Sequence, residues 1–368
     1  MPDLADQYRI YKYILLPIGL LATIPVWKQI YKDRLFILCL AYMGYLLLSS
    51  AWSSQFGLEL LWKQFVLTLS VLVFVLINIH LLQTFPEAYF KVLQGLTLLA
   101  CLSALLSILV WYFGTSHTGR AQGIGALENS GSFSYVYGVF ALFAVHFALQ
   151  SRLIYKRAIF FIAGISGLLF LAFSQSRGTL MAISIAITLQ IIAQSTHIRR
   201  NIIILLIMAF TLIAAIFVIF PESIQQAIDR GWSLRPQIWK LFLKDIPDSF
   251  LSGQGVLTSS ILPVPGTSYE TPYAHNAYIH ALWQGGIIGL AFFLAIFALS
   301  FYRANQIRKH YQHRIILVII TFGFFCMFTD HGSMITKPRE LYFMFWLPLA
   351  MLIYKFAIDE PGIPQEAK

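Results

Sequence analysis

Tyr273-Ala274-His275-Asn276-Ala277-Tyr278-Ile279-His280-Ala281-Leu282-Trp283-Gln284-Gly285-Gly286-Ile287-Ile288-Gly289-Leu290 leaves a polar loop and enters an apolar stretch that continues to Tyr302. No Asp, Glu, Lys or Arg interrupts positions 276–302. Roughly 20 apolar residues cross a bilayer core as a helix, so this stretch reads as a transmembrane helix with His275 at its mouth. Working outward, apolar runs of spanning length lie near 11–27, 34–50, 64–82, 91–113, 134–150, 157–174, 178–194, 201–220, 314–329 and 341–356. The expected fold is therefore an all-α polytopic integral membrane protein of about eleven spans, one membrane domain over 1–368. Composition agrees. Hydrophobic residues make up 58% of the chain and charged ones 11%, where soluble domains carry roughly 25%.

Cys39, Cys101 and Cys326 fall singly inside apolar runs, without the spacing of a metal site, and read as core residues. No basic segment precedes a short apolar stretch and cleavage site at the N-terminus, so the first helix is expected to direct insertion. The net charge of +10 is scattered in short clusters between spans, a distribution that suits membrane topology better than nucleic acid.

Basic residues in short loops concentrate on the cytoplasmic side. Placing the long 221–274 loop outside puts 28–34, 83–91, 151–157, 195–200, 303–314 and the C-terminus inside. That face then holds 15 of the 26 Lys and Arg and 5 of the 16 Asp and Glu, and the other balances 11 against 11. The orientation gives a cytoplasmic C-terminus, an outer N-terminus, one large outer loop and a smaller one at 114–133. No charged residue sits in the middle of a span, which weighs against an ion-coupled transporter.

In the large loop, Pro236 suits the first turn of a helix. An amphipathic helix is expected near 236–248, with Ile238, Trp239, Phe242 and Ile246 on one face and Lys240, Lys244 and Asp248 on the other. It lies on the membrane surface or on the bundle. Arg235 stands at the end of this helix that attracts anions, and its planar fork suits a diphosphate. An interfacial snorkelling Arg would read the same way. Arg177 occupies the tight turn Ser174-Gln175-Ser176-Arg177-Gly178-Thr179, as an anion contact or a helix-end anchor. His275 is either a surface residue or a base kept neutral by outer arginines. Tyr278 follows it at i+3, and Gly285 with Gly289 marks a close helix contact.

The run of His275, Asn276, Tyr278, Gly286 and Gly289-Leu290 resembles the signature of the O-antigen ligase and polymerase superfamily of bacterial enzymes. It is preceded in the same order by Ser176-Arg177-Gly178, Arg235 and Trp239. The resemblance covers roughly 165–335 and leans toward the ligase branch.

It implies transfer of a finished glycan from undecaprenyl diphosphate to an acceptor at the outer, periplasmic face of the bacterial inner membrane. For a ligase the acceptor is a sugar hydroxyl of lipid A-core. By the resemblance, Arg177 and Arg235 hold the diphosphate and His275 acts as the base, while Asp330, Asn276 and Tyr278 are candidate substrate contacts. Asp330 would orient His275, meet an acceptor sugar or merely cap a turn. The chemistry fits these residue types, because a sugar diphosphate needs cations at the leaving group and a base at the attacking hydroxyl.

One displacement inverts the anomeric centre. With no Asp-x-Asp motif, no metal or cofactor is expected. Family members have twelve spans with both ends inside, so one N-terminal span is lost or hidden in a longer segment. A polymerase, a protein O-oligosaccharyltransferase, or a non-enzymatic lipid-glycan flippase or exporter are the alternative functions. A flippase would need polar groups along a path through the membrane.

Overall fold

The computed structural model describes residues 9–114, 119–124, 130–194, 234–308 and 313–359. The span expected at 201–220, the stretch 221–233 and residues 115–118 and 125–129 of the 114–133 loop lie outside the described residues. Every other expected span coincides with a helix. In chain order these are α1 (Tyr11–Ile30), α2 (Arg34–Trp52), α3 (Leu58–Thr84), α4 (Pro86–Gly114), α5 (Ser130–Gln150), α6 (Ile154–Phe173) and α7 (Arg177–Gln194). A short helix, α8 (Arg235–Lys244), precedes α9 (Ala277–Ile307), α10 (Arg314–Thr329) and α11 (Tyr342–Ile358). The one strand pairing among the described residues is a two-residue ribbon of β1 (Leu262–Pro263) and β2 (Glu270–Thr271). Seven of the described helices are long and apolar enough to cross a membrane, and α10 and α11 are apolar but shorter. The protein is an all-α, multi-pass membrane protein.

The chain folds as two compact units. The first comprises Phe90–Ser233 and Ala304–Cys326. Lipid offers helices no hydrophobic drive to associate, so small residues that let backbones approach decide the contacts. Gly164 and Gly167 of α6 face Ala144 and Ala141 of α5, and a Cβ at 167 would stand 2.9 Å from that of Ala141. Beside them the buried Tyr137 ring packs edge-on against Phe170 at 4.6 Å, and its hydroxyl meets Ser103 of α4 at 2.9 Å.

The second unit comprises Pro2–Tyr89, Leu234–Arg303 and Met327–Lys368. Leu16 of α1 packs against Val66 and Val73 of α3. Tyr42 of α2 stacks on Phe293 of α9 at 6.2 Å, and Phe293 and Phe297 meet Phe345 of α11. At the start of α2, Asp33 accepts the Phe36 N–H at 2.9 Å and caps the helix. The same carboxylate takes Arg303 Nη1 at 2.8 and 3.0 Å, both side chains being buried, and the guanidinium lies 4.8 Å from the Phe356 ring. Asn caps helices as well as Asp does, so Asp33→Asn isolates the ion pair. The expected loss is about 2 kcal/mol, the worth of a hydrogen bond to a charged group, read from unfolding of the purified protein in detergent.

The apolar run that opened the sequence reading is not one continuous helix. At Gly286 the backbone turns to φ 63°, ψ −165°, and α9 breaks. A break inside an apolar helix exposes amides and carbonyls that lipid cannot satisfy, and here the preceding loop supplies the partners. Gln254 N–H and Gly255 N–H donate to the carbonyls of Trp283 and Gln284 at 2.8 and 3.0 Å. On the other side, Ile287 N–H donates to Phe250 O at 2.8 Å and Ile288 N–H to Leu251 O at 3.4 Å. The loop is also tied to the far end of α2, where Ser49 Oγ and Ser53 Oγ accept the amides of Val256 and Leu257, each at 3.0 Å. Tyr45 OH donates to Gly285 O at 2.7 Å and to Ser252 O at 3.1 Å. Gly285 and Gly289 both lie against the Tyr45 ring, the close contact expected of that pair.

Candidate active site

α8 leads toward the site in the second unit. Ile238 and Phe242 are buried against Val264, Ala274 and Trp283, while Lys240 and Lys244 are exposed. The helix thus rests on the bundle side of its own unit, and Arg235 is its first residue, partly exposed. Ile246 is buried just beyond the helix end. Gln254 Nε2 donates to Asp245 O at 3.1 Å and links the end of α8 to the loop that enters the α9 break.

Just before α9 the chain makes a left-handed turn at His275, φ 49°. That conformation costs a non-glycine residue roughly 1–2 kcal/mol and is held only where the surroundings over-determine it. Part of that determination is local. Asn276 Oδ1 accepts the amides of Tyr278 and Ile279 at 3.0 and 3.1 Å, capping α9. The rest comes from Asp330, just beyond α10, whose Oδ1 lies 2.7 Å from His275 Nδ1. A carboxylate only accepts, so Nδ1 carries the proton and a neutral His275 ring has its lone pair on Nε2. Tyr273 packs against the imidazole with ring centroids 4.3 Å apart.

Asp330 Oδ1 also accepts the backbone N–H of His331 at 2.9 Å, with His331 itself left-handed at φ 78°. Burial alone would raise the Asp330 carboxyl; the hydrogen bond with His275, the adjacent His331 and His275 rings and the His331 amide outweigh it and hold it well below the ordinary carboxylate range. Burial, with Asp330 adjoining, pushes the Tyr273 phenol up, against the pull of Arg339. Burial likewise lowers the His331 imidazole, with Glu340 and Asp330 opposing and Arg339 and His275 assisting.

These directions define a pH dependence. A histidine whose folded value is lowered leaves the unfolded chain binding more protons as pH falls below about 6.5. Stability is therefore lost as pH drops from the ordinary histidine value through the folded one. Asp330, likewise lowered but from its carboxylate value, loses its contribution only at far more acid pH. Asn tolerates positive φ, so His331→Asn keeps the turn. The wild-type unfolding temperature is expected to fall more steeply between pH 7.5 and 5 than that of His331→Asn.

The candidate substrate contacts have structural partners. Asn276 is the helix cap, and Tyr278 is buried with its ring 4.3 Å from Phe328 and 5.3 Å from Phe293. Arg177 belongs to the first unit, exposed at the first position of α7. The turn before it is held by a residue of the smaller 114–133 loop. Arg120 Nε donates to Ser174 O at 2.7 Å and Nη2 to Ser176 Oγ at 3.0 Å. Ser134 Oγ donates to Ser176 Oγ at 2.8 Å and lies 2.9 Å from Ser174 Oγ. Gln175, between the two serines, is left-handed at φ 51°. Partners 54 and 56 residues apart leave no local signature, so only the fold reveals Arg120 as the brace of the Arg177 turn.

Fold and site define a multi-pass helical membrane protein with a carboxylate-supported histidine at the mouth of a broken helix. The family model described as O-antigen ligase matches residues 160–294, a stretch that contains Arg177, Arg235 and His275 and ends before Asp330. Over 358 residues the chain is 29% identical to the O-antigen ligase of Pseudomonas aeruginosa, covering 95% of this chain and 85% of that protein. Both comparisons are with O-antigen ligases, the superfamily whose signature the sequence resembles.

Proposed function

We propose that this protein is an O-antigen ligase that moves a glycan from undecaprenyl diphosphate to a sugar hydroxyl of lipid A-core at the periplasmic face of the bacterial inner membrane. The observation that carries the chemistry is the 2.7 Å contact between His275 Nδ1 and Asp330 Oδ1. It leaves Nε2 to accept the acceptor hydroxyl proton as its oxygen attacks the anomeric carbon. The bond from that carbon to the diphosphate oxygen breaks, and the diphosphate leaves with the electron pair. Arg177 and Arg235 stabilise the departing charge. The anomeric centre inverts in this single displacement, and no metal takes part. Asp330 orients His275 and favours the imidazolium formed during transfer.

The orientation rests on the charge sorting of the loops. In agreement with it, Asp33 meets Arg303 at one end of α2, and Ser49 and Ser53 meet the 256–257 backbone at the other. Purified protein given lipid-linked glycan and lipid A-core in the presence of EDTA is expected to form the polymer–core product with inverted anomeric configuration. Transfer only onto a second lipid-linked repeat would instead make the protein a polymerase, and transfer only onto a polypeptide would make it a protein glycosyltransferase. A strain without the gene is expected to make unsubstituted lipid A-core while lipid-linked polymer accumulates.

A further inference from the structure

Asp330 stands in a buried cluster whose remaining members the proposed reaction does not use. Glu340, just ahead of α11, is 8% exposed, with Oε1 3.7 Å from His331 Nδ1 and Oε2 3.3 Å from Arg339 Nε. His331 is 5% exposed. The charged and titratable groups around this cluster are His275 and Tyr273 from the segment before α9, Asp330 and His331 from the end of α10, and Arg339 and Glu340 from the approach to α11. Among the described residues, His331 connects the two acids. Its ring faces Glu340 and its backbone amide is bonded to Asp330 Oδ1. That amide reaches Asp330 because the His331 backbone is left-handed, a conformation a histidine keeps only when its side chain is anchored.

We infer that Glu340 is a positioning residue for the base: it anchors the His331 ring, the ring holds the His331 amide on Asp330, and Asp330 holds His275. Bare burial of a carboxylate in this place would be destabilising without such a function, since a buried charge must be compensated by partners. Glu340 never touches substrate. Its whole effect on transfer passes through Asp330, and this inference rests on the reading of His275 as the base.

The test is a double-mutant cycle on the transfer assay, at saturating donor and acceptor. Glu340→Gln is expected to lower kcat about tenfold in the otherwise wild-type protein and less than about twofold in the Asp330→Asn background, because residues acting through one another are not additive. The KM for the lipid-linked donor is expected to stay at its wild-type value, and Glu340→Asp to restore most of the rate. A Glu340→Gln protein with wild-type kcat overturns the inference. So does the full tenfold loss in both backgrounds, which marks an independent structural role. Should Glu340→Gln fail to accumulate, His331→Leu carries the same comparison, since it removes the anchored ring and, unlike Asn, does not favour the left-handed turn by itself. Wild-type transfer by His275→Ala would remove the base reading itself. A dead His275→Ala protein alongside additive Glu340 effects removes only the relay.

Discussion

His275→Ala is expected to lower kcat by about a hundredfold to ten-thousandfold, the usual worth of a positioned general base. The donor KM should hardly move. The activated leaving group and the arginine cations remain, so residual transfer stays measurable at long times and high enzyme concentration. Asp330→Asn should behave as a weaker version of the same lesion. Asn at 330 can still accept from His275 Nδ1, but it loses the charge that the imidazolium needs. A hydrogen bond to a charged group is worth about 1.5–3 kcal/mol, which corresponds to a loss of about tenfold to a hundredfold. The double variant should fall no further than His275→Ala, since Asp330 has nothing left to orient. Purified variants assayed with one batch of lipid-linked donor decide this, and wild-type turnover by His275→Ala would end the assignment of the base.

The relation between His275 and Asp330 marks where sequence reading stops. That the chain crosses a membrane many times was legible, because runs such as 64–82 leave no other solvent for their side chains. His275 stood out because it marks the junction of a polar loop with an apolar run. Asp330 could be named as a candidate orienter only through resemblance to a family. The two side chains meet across 55 residues, and neither local sequence carries a mark of the other. Asn276 and Tyr278 show the opposite difficulty. The resemblance made them candidate substrate contacts, and the same positions also serve as a helix cap and a packed first turn. Sequence neighbours of a catalytic residue are selected for holding it as well as for helping it.

Glycines show the same limit. Gly285 and Gly289 were legible as a helix contact because a four-residue spacing puts them on one face, and both do meet Tyr45. Gly286 was visible only as one letter of a family motif. Nothing in an unbroken apolar run announces that it breaks in the middle, since hydropathy reports the solvent and says little about backbone dihedrals. The partner loop is also uninformative by itself: residues 250–257 mix Ser252, Gly253 and Gly255 with apolar residues, and nothing in them marks the α9 break that they face.

That break supports the second large expectation, for Gly286→Val. A β-branched residue at φ 63° costs roughly 1–2 kcal/mol for the left-handed backbone. Its Cβ would also run into the backbone of Leu251 and Gly253, atoms that cannot swing aside as a flexible side chain would. Overpacking of this kind adds about 1–3 kcal/mol. If the loop withdraws to make room, the four hydrogen bonds across the break are lost in lipid-facing surroundings, so relief by that route is no cheaper. The expected loss is about 4 kcal/mol in total, the sum of these two costs, with faster amide exchange across 250–257. Gly285→Ala serves as the control one residue away. Its Cβ would meet side chains and no backbone, the edge of the Tyr45 ring at 3.3 Å and Leu46 Cδ2 at 3.4 Å, and its backbone is helical, so its stability should fall by less than about 1 kcal/mol. Function should follow the backbone. The loop joins the break to α8, and α8 carries Arg235, so a displaced loop lets the arginine proposed to hold the diphosphate move relative to His275. Gly286→Val protein that still folds should therefore show a raised donor KM together with a lowered kcat, while Gly285→Ala transfers normally. Equal unfolding temperatures and equal exchange in the two variants would mean that the loop does not hold the break closed.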